Sequence, residues 1–83
     1  MGKWSQEDVE QKLIQEVATI LVVEPATITP DAPLHTLGVD SISFVELLVF
    51  IEKTFGLALI DAGLTRKDFE TLRALARCIS EKT

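Results

Sequence analysis

Leu34-His35-Thr36-Leu37-Gly38-Val39-Asp40-Ser41-Ile42-Ser43-Phe44-Val45-Glu46-Leu47-Leu48 runs from a loop into a helix, and its reading decides the fold. Gly38 supplies backbone freedom just ahead of the helix. Asp40 is a strong N-cap, because its carboxylate can accept from the unbonded amides of the first turn. Ser41 then becomes the first helical residue, with its hydroxyl pointing outward. A helix N-terminus carries unpaired N–H groups and the positive end of the dipole, so an anion joined there is stabilised. The rest of the chain reads as a scaffold for that hydroxyl.

Downstream, the helix should run from Ser41 to about Phe55, with Gly56 just past its end. Residues placed at helical spacing put Phe44, Leu47, Leu48, Ile51 and Phe55 on one side, the core face. The opposite side carries Ile42, Val45 and Val49 among Glu46, Glu52 and Lys53, with Phe50 at its margin. A surface helix normally keeps that side polar. An apolar stripe rimmed by acids beside Ser41 is the composition of a transient docking surface. Plainer readings stand next to these: Ser41 as a first-turn serine, Glu46 as a solvated residue, Val49 and Phe50 as covered by a loop.

Upstream, Ser5 is an N-cap with Asp8 three residues on, and Trp4 and Val9 have the spacing of a hydrophobic staple. Val9, Leu13, Val17, Ile20 and Leu21 recur at helical spacing, while Glu10, Gln11, Gln15 and Glu16 face water. The first helix is expected over Gln6 to Val22, ended by Glu24-Pro25. Pro25 to Gly38 is then an ordered connection stiffened by Pro25, Pro30 and Pro33, with Ile28, Leu34 and Leu37 pinning it to the core. Beyond Gly56 the chain reads as a connection to Leu64, a short helical turn near Thr65 to Phe69, and a last helix from Thr71 or Leu72. That helix aligns Leu72, Leu75, Ala76 and Ile79 on one face. The predicted fold is all-α: a small four-helix bundle of three main helices and one short one, a single domain over 1–83.

Composition narrows the function. Eighty-three residues with 47% hydrophobic, four Gly and three Pro describe a small folded helical domain. Eight basic against thirteen acidic residues give a net charge of −5, which argues against nucleic acid as a partner. The polar start, with Glu7 and Asp8, is not a signal peptide, and the longest apolar runs are too short to span a bilayer. One cysteine, Cys78, cannot close an internal bridge and fits a reducing, cytoplasmic setting. His35 reads as an ordinary loop residue. No residue set forms a catalytic dyad or a metal site at normal spacing, so no enzyme activity and no metal are expected.

These residues resemble the phosphopantetheine-binding carrier proteins, meaning acyl carrier proteins and the carrier domains of polyketide and peptide synthases. The likeness runs through Pro30-Asp31-Ala32-Pro33-Leu34, Leu37-Gly38-Val39-Asp40-Ser41-Ile42 and Val45-Glu46-Leu47. It continues through Phe55-Gly56 and Phe69-Glu70-Thr71-Leu72 to Leu75-Ala76. The resemblance implies that 4′-phosphopantetheine from coenzyme A is attached at Ser41 and holds acyl intermediates as thioesters. It implies a recognition face made by Asp40, Ile42, Val45, Glu46, Val49 and Glu52. An acyl cavity would be lined by Phe44, Leu47, Leu48 and Ile51. The implied partners of a monomeric carrier are a phosphopantetheinyl transferase and acyl-loading, ketosynthase-type or acyltransferase enzymes.

Two departures bear on the pathway. Where fatty-acid members carry runs of acids, this chain has Glu52-Lys53-Thr54 and Thr65-Arg66-Lys67-Asp68. Together with the Asp-x-Pro-Leu-x-x-Leu-Gly loop, they point to a specialised, polyketide-type, freestanding carrier. An aminoacyl or peptidyl carrier is the nearest alternative, and an unmodified helical interaction domain comes from another class.

Overall fold

A computed structural model describes residues 4–58 and 69–82, which form helices, turns and one isolated bridge. The expected helical turn near Thr65 to Phe69 and most of the preceding connection lie outside the described residues, as do Thr65-Arg66-Lys67-Asp68. The architecture is a small all-α bundle.

Helix α1 spans Gln6–Leu21. Ser5 Oγ accepts from the Asp8 amide at 3.1 Å, which satisfies one of the donors a helix start leaves open. Val9, Leu13 and Val17 are buried at the expected spacing, and Ile14 and Ala18 join them. Ile20 and Leu21 are half-buried, and so are Glu10 and Glu16, which were expected to face water. The helix stops one residue before the expected Val22, and Pro25 is not the cause. Val22 turns left-handed at φ 57° and its amide donates to Thr19 O, while the Val23 amide reaches back to Ala18 O at 2.9 Å. These two bonds make the closing turn that usually recruits glycine.

The connection holds more helix than its sequence suggested. Pro25–Thr27 form a 3₁₀ turn, and Leu34–Leu37 form a one-turn helix, α2. Thr27 Oγ1 donates to Glu24 O and Thr36 Oγ1 to Pro33 O, each at 2.7 Å. Elements this short show no apolar periodicity. Ile28 and Leu34 are buried, pinning the connection as expected.

Helix α3 spans Ser41–Phe55, and Gly56 closes it at φ 72° with its amide on Glu52 O at 2.9 Å. Leu47, Ile51 and Phe55 are buried, with Phe44 and Leu48 half-buried beside them. Helix α4 spans Leu72–Lys82. Thr71 Oγ1 accepts from the Ala74 amide, so Thr71 caps it. Leu72, Leu75, Ala76 and Ile79 are fully buried, as their spacing predicts.

Helix α1 packs on α4 and α3, and one apolar cluster joins Val9 to Ile79. Trp4 meets Phe55 edge to face at 4.8 Å, and Ser80 Oγ donates to Trp4 O, fastening the chain ahead of α1 to both neighbours. The connection is fastened too. The Leu34 amide donates to Glu70 O at 3.0 Å and the Arg73 amide to Pro30 O at 3.1 Å, flanking the Pro33–Thr71 bridge.

Candidate functional site

Two turns and a cap place Ser41. Gly38 ends α2 at φ 99°, a conformation that side chains rarely adopt, and its amide donates to His35 O and Leu34 O. Val39 follows with its amide on Leu34 O at 3.2 Å. The chain reverses here against the end of α1, where Leu21 Cδ2 lies 3.9 Å from the position a Gly38 Cβ would take. Asp40 then caps α3. Its Oδ1 accepts from the Ser43 amide at 2.8 Å, and its carbonyl accepts from the Phe44 amide at 2.9 Å.

The Ser43 amide and then the Ser43 hydroxyl, donating to the Asp40 carboxylate, hold its pKa below the usual carboxylate range. Asp40 is therefore ionised at neutral pH. Ser41 follows it as the first residue of α3 and is exposed. Its hydroxyl stands at the positive end of a fifteen-residue helix.

A cavity of about 530 Å³ opens beside that hydroxyl. Its apolar wall comes from Pro33, Leu34, Val39, Phe44 and Phe69. His35, Asp40, Ser41 and Glu70 supply its polar part. Segments far apart in the chain therefore meet at Ser41, through the same backbone bonds that tie Leu34 to Glu70. His35, read from sequence as an ordinary loop residue, stands in this wall, and so does Glu70. Neither carried a local signal, because their neighbourhood is made by long-range pairing.

The expected residues separate into three environments. Ile42 is 73% exposed, Val45 56% and Val49 43%, and Glu46 and Glu52 are also exposed, so the outer stripe of α3 is open to solvent. Phe50 is half-buried with its ring against Phe55. Of the four residues expected around a cavity, Phe44 lines this one. Leu47 and Ile51 are fully buried in the core and Leu48 is half-buried against it. Among the described residues no cluster of His, Cys, Asp and Glu could hold a metal ion, and no helix is long and apolar enough to cross a membrane.

An attached phosphate ester fits these residues. Its oxygen would be an exposed hydroxyl, its charge would lie at a helix N-terminus, and space for the attached group adjoins it. Comparison with known proteins gives the same chemistry. Residues 11–79 match the family described as phosphopantetheine attachment site. The chain is 34% identical over 74 residues to the acyl carrier protein of Onion yellows phytoplasma (strain OY-M), covering 88% of this chain and 95% of that one. The acyl carrier protein of Aster yellows witches'-broom phytoplasma (strain AYWB) is similar to the same extent.

Proposed function

The chain belongs to the phosphopantetheine-binding carrier family and functions as an acyl carrier with 4′-phosphopantetheine as its cofactor, and from that premise we propose that Ser41 bears the arm. The bound group supplies a thiol on which acyl chains are held as thioesters. The observation that carries the assignment is Ser41 itself: an exposed hydroxyl on the first turn of α3, behind the Asp40 cap and beside a cavity. Asp40 fixes the first turn of α3, and with it the backbone that carries the hydroxyl. The N-terminal end of α3 favours the phosphodiester charge.

Membership of the family implies that the chain meets a phosphopantetheinyl transferase and biosynthetic enzymes. We assign that encounter to Asp40, Ile42, Val45, Glu46, Val49 and Glu52. The exposed valines and isoleucine offer apolar contact, and the acids around them steer partners with basic patches. Such docking is brief by design, since a carrier must leave each enzyme for the next. The chain itself carries out no bond chemistry in this reading. It acts as a monomeric single domain over 1–83, which one continuous apolar cluster supports, and works in the cytoplasm, which its sole cysteine supports. The exposed Lys53 near the end of α3 favours specialised, polyketide-type enzymes over those with strongly basic docking sites.

Intact mass after incubation with coenzyme A, magnesium and a broad-specificity phosphopantetheinyl transferase tests the assignment. One added arm is expected in the native protein and none in Ser41→Ala. An arm that still adds to Ser41→Ala would move the attachment elsewhere. No addition by several transferases would leave the outer face of α3 as a fixed binding surface for an unmodified domain.

A further inference from the structure

Among the described residues, the large apolar side chains left exposed fall in two groups. Ile42, Val45 and Val49 form the outer stripe of α3. Val22 and Val23 form the closing turn of α1, and Val22, 88% exposed, is the most open of them all. Two features of Val22 oppose each other. At φ 57° it is left-handed, a conformation that glycine adopts freely and a β-branched residue only under strain. Its side chain stands in water, so no packing within the bundle offsets that strain. Strain kept where the fold gains nothing from the side chain points to something outside the chain that binds it.

This turn lies against the approach to Ser41. The preceding residue, Leu21, has its Cδ2 3.9 Å from the place of a Gly38 Cβ. Gly38 precedes Ser41 by three residues, at most about 11 Å of extended chain. Charge is of one sign over the same region. Between Lys12 and Lys53 the sequence contains no lysine or arginine, while Glu16, Glu24, Asp31, Asp40, Glu46 and Glu52 all fall there. A partner that approaches Ser41 here meets apolar side chains in an acidic field. Its complement is an apolar socket edged by lysine or arginine.

Resting on the assignment of the arm to Ser41, we infer that Val22 and Val23 are a second contact for the phosphopantetheinyl transferase, separate from the stripe on α3. Of the enzymes a carrier meets, the transferase is the one whose reacting groups must reach the Ser41 hydroxyl itself. Enzymes that act on the cargo meet it at the far end of the arm and need not touch the turn beside Ser41. Contacts on both α1 and α3 orient the transferase over the hydroxyl, which one stripe on one helix does not do. The strained valine is then held for its side chain, and the carrier is less stable than it would be with glycine there.

The test measures steady-state arm transfer from coenzyme A to the whole protein by a broad-specificity phosphopantetheinyl transferase. Native protein is compared with Val22→Gly and Val22→Asn, each melted by circular dichroism. Glycine and asparagine both accept the left-handed turn, so the apolar side chain goes while the backbone stays. The KM for the carrier is expected to rise about tenfold in both variants with kcat little changed, the effect of losing one buried valine from a docked complex. The thermal midpoint of Val22→Gly is expected not to fall, so weaker docking cannot come from a weaker fold. Exposed Glu24, reversed in Glu24→Lys, should raise KM at low salt and flatten its dependence on salt. A native KM in both Val22 variants overturns the inference and leaves the Ser41 assignment standing. A rise in the glycine variant alone reports backbone freedom and overturns it too. So does self-association of the native protein that the variants abolish without a change in KM, which assigns the patch to a second copy of the chain. A native protein that accepts no arm overturns both readings.

Discussion

Asp40 caps α3 with a charged carboxylate, and that charge makes the cap depend on pH. The Ser43 amide and hydroxyl hold its pKa below the ordinary value of a carboxyl group, about 3.9 in an unfolded chain. A group depressed on folding contributes stability that is present above its unfolded value and lost as pH falls through its folded one. The first turn of α3 should therefore loosen in acid, below the ordinary carboxylate range. Hydrogen exchange at the Ser43 amide reads this directly as a protection factor that drops with pH. Asp40→Asn keeps a good capping oxygen and has nothing to titrate, so its Ser43 protection should stay level over the same range. Equal acid sensitivity in both proteins would mean that another group controls this turn. At this scale much was legible, because a glycine, a cap and a serine in sequence are local signals. What was not legible is the company Ser41 keeps: His35 and Glu70 reach the cavity only because Leu34 bonds Glu70.

Among the elements, α1 carries an anomaly at its end. Its closing turn needs a left-handed residue and uses Val22, which is β-branched and 88% exposed. The left-handed conformation costs an L-residue roughly 1–2 kcal/mol. Glycine escapes that cost but adds about 0.5–1 kcal/mol through the freedom of the unfolded chain. No buried contact is lost in the exchange, so Val22→Gly should stabilise the protein by up to about 1.5 kcal/mol. For a domain of this size that is a rise of up to roughly 12 °C in the thermal midpoint, readable by circular dichroism. A fall in the midpoint would show that exposed Val22 contributes more than its strain removes. The same helix shows why its end was misjudged by one residue. Sequence offers Pro25 as a stop, but the bonds that end α1 run from Val22 and Val23 back to Ala18 and Thr19. The α3 boundaries and the start of α4 were legible from caps and spacing, whereas α2, four residues long, has too few positions for any pattern to register.

At the scale of the whole molecule, the site depends on a connection from α1 to α3 staying against α4. Besides the backbone bonds at Leu34 and Arg73, two kinds of side-chain contact hold it there, and their magnitudes differ. Arg73 Nη1 pairs with Asp31 Oδ2 at 2.8 Å and its Nη2 lies 3.7 Å from Glu10 Oε1, but the Arg73 and Asp31 side chains are 50% and 62% exposed. Ion pairs so open to water contribute about 0–1 kcal/mol. Leu34, 6% exposed, is wedged into the core at the cavity wall, and truncating such a residue costs about 2–5 kcal/mol. A domain of this length holds only about 4–12 kcal/mol in all, so burial and not charge should keep the connection in place. Urea unfolding of Asp31→Ala and Leu34→Ala compares the two. Asp31→Ala should lower the stability by less than about 1 kcal/mol, and raising the salt should shrink the difference. Leu34→Ala should lower it by about 2–5 kcal/mol at any salt concentration, with an unchanged slope against urea. If Asp31→Ala costs as much as Leu34→Ala, the charged clamp holds the connection, and the placement of Ser41 becomes sensitive to salt.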